Sequence, residues 1–120
     1  MVILIVANNS DLARIWSRHL QRLGNDVMVV YTQAEAANFM RVNSVDVIVL
    51  DLKLEKGSAI AIADYASYRW PSARVVFVSN STFFSDGSIF NHIPNAAAIL
   101  PEQTPPNDLA AIVEYHGRAS

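Results

Sequence analysis

Three short apolar runs stand out along the chain, and each is followed by polar or turn-forming residues. They span residues 2–7, 45–50 and 74–78, and they are rich in Val and Ile. Near-continuous apolarity over roughly five or six residues is typical of parallel strands that are covered on both faces. Two weaker runs, at residues 26–31 and 96–100, bring the number of predicted strands to five.

The segments between the strands carry apolar residues at three- to four-residue spacing, which predicts amphipathic helices. The first helix follows Asn9 and Ser10, either of which can cap it, and Gly24 supplies its stop. Thr32 and Ser58 can cap the second and third helices. The apolar residues that set the pattern are Leu12, Ile15, Trp16, Leu20 and Leu23, then Ala34, Ala37, Phe39 and Met40, then Ile60, Ile62, Ala63, Ala66 and Tyr68.

The remaining connections are shaped by proline and glycine. Pro71 ends the third helix, because the residue before a proline is pushed out of the helical conformation. The last helix opens at Pro105 and Pro106, where proline is tolerated in a first turn, and it is expected to bury Leu109, Ile112 and Val113. Residues 81–94 show no clean period, since Gly87 and scattered aromatic residues interrupt it. Only a short or irregular helix is predicted there.

Strands that alternate with helices across short turns imply right-handed crossovers and an open parallel sheet. The predicted fold class is therefore α/β, a doubly wound five-stranded parallel sheet with helices on both faces. Residues 1–120 are expected to form one domain, because a chain of 120 residues has no room for a second. With 52% apolar residues, the chain carries enough core-forming side chains to fold.

Charge and composition exclude several kinds of partner. A net charge of -2 and a pI near 5.8 provide no basic field, so direct binding of nucleic acid or of an anionic membrane is not expected. The chain has no cysteine, which excludes disulfides and thiolate metal sites and fits a reducing, cytoplasmic setting. The apolar run at residues 2–7 is too short to span a membrane. Proteins are the expected partners.

The residues that follow each predicted strand are the candidate functional positions. In open parallel sheets the ligand site lies beyond the carboxyl ends of the strands. The residues at those ends are Ala7 and Asn8 after the first strand, Asp51 after the third, Ser79 after the fourth and Glu102 after the fifth. Any chemistry of the chain is therefore expected there.

The sequence around Asp51 resembles a known family. Residues 45–57 read VDVIVLDLKLEKG and are similar to the phospho-acceptor strand and loop of bacterial response-regulator receiver domains. Residues 3–6 lead into the slots of that family's acidic pair, and residues 75–79 end on its hydroxyl position. Residues 95–102 correspond to the segment that ends in the family's lysine. The resemblance spans the chain and implies the flavodoxin-like receiver fold and a role in two-component phosphorelay signalling.

The resemblance assigns roles to individual positions. In that family an acidic pair holds Mg²⁺, a lysine binds the acyl phosphate, and a hydroxyl residue turns toward the phosphorylated aspartate. Asp51 matches the phospho-acceptor, and Ser79 matches the hydroxyl residue. Ala7 and Asn8 stand in the slots of the acidic pair, and Glu102 stands in the slot of the lysine. Ordinary phosphorylation-driven switching is therefore expected to be weakened or abandoned.

These departures have physical consequences. Mg²⁺ relies on carboxylates for charge, so Asp51 and Asn8 would make at most a weak site, and no cofactor is expected. Phosphoryl transfer needs positive charge near the spreading negative charge, and Glu102 opposes it. Lys53, two residues after Asp51, is a candidate compensating cation. Ile99 stands at the family's aromatic or basic switch position, which is a further departure.

Aromatic and histidine residues elsewhere carry weaker signals. The residues expected in the core or on partly covered surface are Trp16, Trp70, Phe83, Phe84 and Phe90. The resemblance directs attention to Phe83 and Phe84, because the family uses its fourth helix, fifth strand and last helix to contact partners or a second copy. The histidines are expected at the surface or at helix ends rather than in a metal or catalytic site. They are His19, His92 and His116.

Two functional hypotheses follow. The first is a non-enzymatic, atypical receiver domain that works by protein contacts with a histidine kinase, a phosphotransfer protein, an output domain or a second copy of the chain. The second is a functioning receiver that is phosphorylated on Asp51 by a histidine kinase or a phosphotransfer protein. A small-molecule enzyme on the same fold is disfavoured, because the sequence offers no credible nucleophile and base pair.

Overall fold

Strands alternate with helices through the first described part of the chain, and one further strand and helix make up the second. The computed structural model describes residues 1–80 and 93–118. Its elements are β1 (Val2–Val6), α1 (Ser10–Arg22), β2 (Asp26–Val30), α2 (Gln33–Val42), β3 (Val47–Asp51), α3 (Ala59–Arg69), β4 (Arg74–Ser79), β5 (Ala96–Pro101) and α4 (Pro106–Arg118). All strand pairs are parallel, in the order β2-β1-β3-β4-β5. The doubly wound α/β prediction is confirmed.

The central strands are apolar along their length because both of their faces are covered. β1, β3 and β4 occupy the middle of the sheet, and Ile3, Ile48 and Phe77 are fully buried. β2 and β5 lie at the two edges of the sheet, and Met28 of β2 is exposed. The two weaker apolar runs in the sequence are therefore the edge strands, which have less surface to bury.

Among the residues that the structure describes, two helices pack on each face of the sheet, and they form two cores. One core joins α2 and α3 to alternate strand residues, among them Leu4, Leu50 and Phe77. The other joins α1 and α4 to the intervening strand residues, among them Ile5 and Val49. Each Leu or Ile buried in this way stabilises the fold by roughly 1.5–3 kcal/mol. Helices on both faces are thus what makes continuous apolar strands stable in water.

The helix starts are capped by the side chains that the sequence indicated. Asn9, rather than Ser10, caps α1, because its side chain accepts hydrogen bonds from the backbone of Asp11 and Leu12. Thr32 caps α2 by accepting from the backbone N–H of Glu35, and Ser58 caps α3 by accepting from Ala61. Each such cap stabilises a helix by about 1 kcal/mol, so these polar residues fix where the helices begin.

The helical pattern was less accurate about which residues face the sheet. Several apolar positions taken as part of the buried pattern are exposed, namely Ile15, Leu23, Ala34, Ile60 and Tyr68. The fully buried helix positions include small residues that the pattern left out, such as Ala13 and Ala36, beside large ones such as Leu20 and Met40. A small side chain lets a helix pack closely on the sheet, so an alanine can lie at the centre of the contact although it adds little to an apolar pattern.

Both tryptophans lie where they were predicted, in the core or on partly covered surface. Trp16 is buried in the core formed with α1 and α4. Trp70 follows α3, and its Nε1 donates to the carbonyl of Met40 at 2.7 Å. The Arg69 guanidinium lies over the Trp70 ring, 4.0 Å from its centroid. Trp70 therefore joins the carboxyl ends of α2 and α3.

Part of the sequence-based prediction falls outside the described residues. Of the irregular helix predicted at 81–94, only Ile93 and Pro94 are described, and they lie in the turn before β5. The aromatic and histidine positions outside the description are Phe83, Phe84, Phe90 and His92. Among the residues that are described, no helix combines the length and the apolar character needed to cross a bilayer.

A hydrogen-bonded network joins the amino end of the sheet to α4. The Asn25 side chain is buried, and its Nδ2 donates to the carbonyl of Leu20 and to Oε1 of Glu114. Arg118 donates to the other Glu114 oxygen at 2.9 Å, and the Met1 amino group adds positive charge nearby. Partial burial raises the pKa of Glu114, but these donors and charges outweigh it, so its pKa lies below the ordinary 4.5.

Gly57 tests how tightly the segment before α3 is packed. Its φ of +135° lies in the region that favours glycine, and a Cβ there would overlap the Cβ of Gln33. Gly57→Ala is expected to lower the free energy of unfolding by about 2–4 kcal/mol, from backbone strain and overlap together. Gly24 is the control, because its φ is +90° but a Cβ would meet nothing within 4 Å. Urea denaturation should give Gly24→Ala a smaller loss, of about 1–2 kcal/mol; equal losses would contradict the packing argument.

Glu114 gives the fold a pH dependence of known sign. Because its pKa is lower in the folded chain, its contribution is complete above the unfolded pKa and disappears as the pH falls through the folded pKa. Glu114→Gln should therefore lose up to about 1 kcal/mol at neutral pH. The difference from the unmodified chain should vanish in acid, as followed by urea denaturation across pH. Asp64→Asn, on the exposed side of α3, is the charge-matched control, and a pH-independent loss in Glu114→Gln would contradict this account.

Candidate functional site

The parallel sheet brings the predicted site positions to one edge. Ala7 and Asn8 directly follow β1, Asp51 is the last residue of β3, and Ser79 is the last residue of β4. The strand register pairs Asp51 with Val78. Neighbouring strands lie about 4.8 Å apart, so these residues are close in space although they are distant in sequence.

Ala7 belongs to the core rather than to an open pocket. It is 2% exposed and packs in the core that α1 and α4 form. Its backbone N–H donates to the carbonyl of Val30 at 3.2 Å, which continues the pairing of β1 with β2. The first slot of the expected acidic pair is therefore filled by a buried methyl group.

Asn8 connects the end of β1 to the β3–α3 loop, residues 52–58. Its Nδ2 lies 3.3 Å from Oδ2 of Asp51 and 3.0 Å from the carbonyl oxygen of Lys53. Its Oδ1 accepts a hydrogen bond from the backbone N–H of Glu55 at 2.8 Å. One exposed amide thus makes three contacts, all of them to residues more than 40 positions away in sequence.

The Asp51 carboxylate is held by hydrogen-bond donors on both oxygens. Oδ1 accepts from the backbone N–H of Lys53 at 3.0 Å, and Oδ2 accepts from Asn8. The next residue, Leu52, donates its backbone N–H to the carbonyl of Val78, so β3 stays attached to β4 beyond its last residue. Asp51 itself is partly exposed. Its position is therefore fixed, while part of the carboxylate still meets solvent.

Lys53 enters the site through its backbone. Its N–H donates to Asp51 and its carbonyl accepts from Asn8, and the residue is exposed. Within residues 1–80 and 93–118, no ion pair joins the Lys53 ammonium to a carboxylate. Compensation of the missing lysine by Lys53 stays a prediction.

Ser79 and Glu102 lie beside each other on the far side of the site. Ser79 is 4% exposed, and its carbonyl accepts from the backbone N–H of Glu102 at 2.9 Å. β4 separates Glu102 from Asp51, so their backbones are roughly two strand spacings, or about 10 Å, apart. Ile99 pairs with Phe77 and packs, partly buried, against the core of α2 and α3. The structure therefore gathers Asn8, Asp51 and the Lys53 backbone most closely.

The residues present do not fit a divalent cation. Oxygen ligands are what Mg²⁺ requires, and they come mainly from carboxylates. Here the Asn8 NH₂ group donates to one Asp51 oxygen and to the Lys53 carbonyl oxygen, so both oxygens already face a hydrogen-bond donor. Among the described side chains, no group of three His, Cys, Asp or Glu residues could hold a metal ion. His19 and His116 stand on different helices and take no part in the site.

Sequence reasoning missed the role of Gln33. Its backbone N–H donates to the carbonyl of Lys56 at 3.0 Å, and its Oε1 accepts from the backbone of Ser58 at 2.9 Å. Gly57 lies between these two contacts, and its missing side chain lets Gln33 approach. The sequence signal for this contact is Gly57 itself. It does not follow a helix, so it is not a helix-ending glycine and needs another explanation, such as a close approach of a neighbouring residue.

A cleft of about 640 Å³ opens beside the site, bordered by Asn8, Tyr31 and Lys56. Glu35 also lines it, but its carboxylate accepts hydrogen bonds from Tyr31 and Thr32 at the start of α2. Glu55 and Lys56 of the β3–α3 loop form one wall of the cleft. Asn8 and Gln33 hold that loop by hydrogen bonds to its two halves.

Comparison with known proteins supports the fold. No family model and no curated protein sequence matches the chain. A CheY-like response regulator receiver domain protein from Methanospirillum hungatei matches in structure with a TM-score of 0.88 at 17% identity, over 98% of this chain and 94% of that one. The N-terminal domain of a response regulator/sensory box/GGDEF 3-domain protein from Carboxydothermus hydrogenoformans gives 0.86 at 21% identity, over 99% and 95%.

A third similar structure contains a phosphorylated aspartic acid. It is a response regulator protein from Burkholderia pseudomallei with a phosphorylated aspartic acid, a calcium ion and citrate. Its TM-score is 0.82 at 18% identity, over 98% of this chain and 69% of that one. At such identities the similarity concerns the backbone, and the strand order β2-β1-β3-β4-β5 agrees with it. The chain therefore has the fold of response-regulator receiver domains.

Proposed function

We propose that the chain is a receiver-like signalling module that acts through protein contacts, with Mg²⁺-dependent phosphorylation weakened or lost. The observation that carries this proposal is the contact between Asn8 and Asp51, in which an amide N–H faces the carboxylate at 3.3 Å. A hydrogen-bond donor there does what a cation would otherwise do for that oxygen. The module is proposed to be non-enzymatic.

The electrostatics of the edge support the same proposal. Transfer of a phosphoryl group to Asp51 spreads negative charge that must be neutralised nearby. Ala7 contributes a buried methyl group, Asn8 is neutral, and Glu102 adds a negative charge at the end of β5. The three positions therefore disfavour the reaction for three separate reasons.

The proposed partners are proteins of a two-component or related pathway. A histidine kinase, a phosphotransfer protein or an output domain would each present a folded surface, and a second copy of the chain is a further candidate. The chain's net charge of -2 provides no attraction toward polyanions such as nucleic acids. The region of Phe83 and Phe84 is proposed as the contact surface from sequence alone, since it lies outside the described residues.

One observation favours a working phospho-acceptor as the second candidate. Asp51 is partly exposed at the end of its strand, and the buried Ser79 ends the neighbouring strand. Lys53 is exposed two residues away. In this alternative a histidine kinase or a phosphotransfer protein phosphorylates Asp51, and Lys53 supplies the missing positive charge.

Intact-mass spectrometry separates the two candidates. The purified chain is incubated with acetyl phosphate, or with beryllofluoride, in the presence of Mg²⁺, beside an Asp51→Ala control. We expect no adduct on the folded chain, because Asp51 has only the neutral Asn8 amide beside it in place of a second acid, and Glu102 stands in the slot of the family's lysine. An adduct that disappears in Asp51→Ala would overturn the proposal and establish the phospho-acceptor. An acidic receiver domain with its metal site intact, treated in parallel, shows that the reagent is active.

Stability measurements give an independent test of the same site. Asp51 accepts two hydrogen bonds and makes no contact with another acid among the described residues, so Asp51→Ala should lower the free energy of unfolding by about 1–2 kcal/mol. Asp64→Ala, on the exposed side of α3, is the control and should stay within about 0.5 kcal/mol of the parent. A gain in stability from Asp51→Ala, measured by urea denaturation, would mean that the carboxylate is held against repelling charge.

A further inference from the structure

The β3–α3 loop is held from outside on both sides, by the Asn8 side chain and by the backbone and side chain of Gln33. Asn8 contacts its first half through the Lys53 carbonyl and the Glu55 N–H. Gln33 contacts its second half through the Lys56 carbonyl and the Ser58 N–H. A loop fastened at four backbone groups has little freedom to rearrange, provided that both side chains keep their partners.

The orientation of the Asn8 amide follows from its partners. The backbone N–H of Glu55 can only donate, so the amide oxygen must face it, at 2.8 Å. The Lys53 carbonyl can only accept, so the NH₂ group must face it, at 3.0 Å. The same NH₂ group then lies 3.3 Å from the Asp51 carboxylate. Reversing the amide would break all three contacts, so one orientation is strongly preferred.

The two oxygens that the NH₂ group contacts are a carboxylate oxygen and a backbone carbonyl oxygen. Such a pair is a typical part of a ligand set for a hard divalent cation, which would sit about 2.0–2.6 Å from each oxygen. The Asn8 nitrogen lies at hydrogen-bond distance from both, so it occupies the space in which an ion would sit. The two N–H groups of the Asn8 amide therefore stabilise the negative charge on the Asp51 oxygen and the partial negative charge on the Lys53 carbonyl oxygen.

We propose that the Asn8 amide replaces a divalent cation as the tie between the end of β1 and the β3–α3 loop. The loop then keeps one conformation whether or not Mg²⁺ is present. This inference rests on the proposed function in one respect: it takes the edge of the sheet that carries Asp51 as the functional site of the chain. It adds a regulatory property, since the surface that contains Glu55 and Lys56 is preformed at every cation concentration.

A partner that recognises this surface would accordingly bind without a metal-dependent step. The cleft of about 640 Å³ between Asn8, Tyr31 and Lys56 has one wall formed by the tied loop. Its shape therefore depends on the Asn8 contacts rather than on an ion. Loss of those contacts should loosen the first half of the loop and leave the second half, held by Gln33, in place.

The test uses amide hydrogen exchange and thermal melting of the full chain in EDTA and in millimolar MgCl₂. In the unmodified chain, exchange at Glu55 and the melting temperature should be the same in both solutions. In Asn8→Ala, exchange at Glu55 should become about tenfold faster, because its acceptor is gone. Exchange at Ser58, which donates to Gln33, should change little and serves as the internal control.

A second variant asks whether the amide and an ion exclude one another. Asn8→Asp removes both N–H donors and places a second carboxylate beside Asp51 and the Lys53 carbonyl. It should melt at a lower temperature in EDTA and recover, by several degrees, with MgCl₂ or MnCl₂. Asn38→Asp, exposed on α2, makes the same charge change away from the site and should show no cation response.

Two results would overturn the proposal. One is protection of Glu55, or a melting temperature, that rises with Mg²⁺ in the unmodified chain. The other is unchanged Glu55 exchange in Asn8→Ala. If Asn8→Asp does not fold, the EDTA and Mg²⁺ comparison on the unmodified chain still decides the question. An Asp51 adduct in the mass experiment, with Glu55 exchange independent of Mg²⁺, would refute the proposed function and leave the Asn8 tie standing.

Discussion

Parallel pairing of all five strands is the constraint on which the rest of the molecule depends. It sends the crossovers that the structure describes through helices, and those helices cover both faces of the sheet. It also gathers the carboxyl ends of the strands at one edge, where backbone pairing stops and polar groups need other partners. The candidate site is made of the groups left at that edge, which satisfy one another through Asn8, Asp51 and the loop that follows.

Much of the fold could be read from the sequence because its signals are local. Continuous apolar runs identified β1, β3 and β4, and short polar side chains such as Asn9, Thr32 and Ser58 marked where helices begin. The buried faces of the helices were harder to predict. Periodicity cannot tell a large apolar residue at the margin of a helix, such as Ile15, from a small one at the centre of its contact with the sheet.

In the candidate site, too, local features could be predicted from the sequence and long-range contacts could not. The positions of Asp51, Ser79 and Glu102 followed from where strands end and from a family resemblance. The contacts of Asn8 and Gln33 could not be predicted, because they join segments far apart in sequence and depend on how the β3–α3 loop turns. The resemblance indicated only that a neutral residue stands in the slot of an acid. The structure adds that this residue makes three hydrogen bonds of its own.

The burial of Ala7 makes positions 7 and 8 unequal in how easily each could carry a carboxylate. At position 8 the side chain is exposed, so a carboxylate could be placed there with little desolvation. At position 7 the side chain is 2% exposed and surrounded by the core of α1 and α4, where an unpaired carboxylate would cost several kcal/mol. Building a two-acid site at this edge would therefore require the core around residue 7 to be repacked, whereas a single added acid at position 8 requires one substitution.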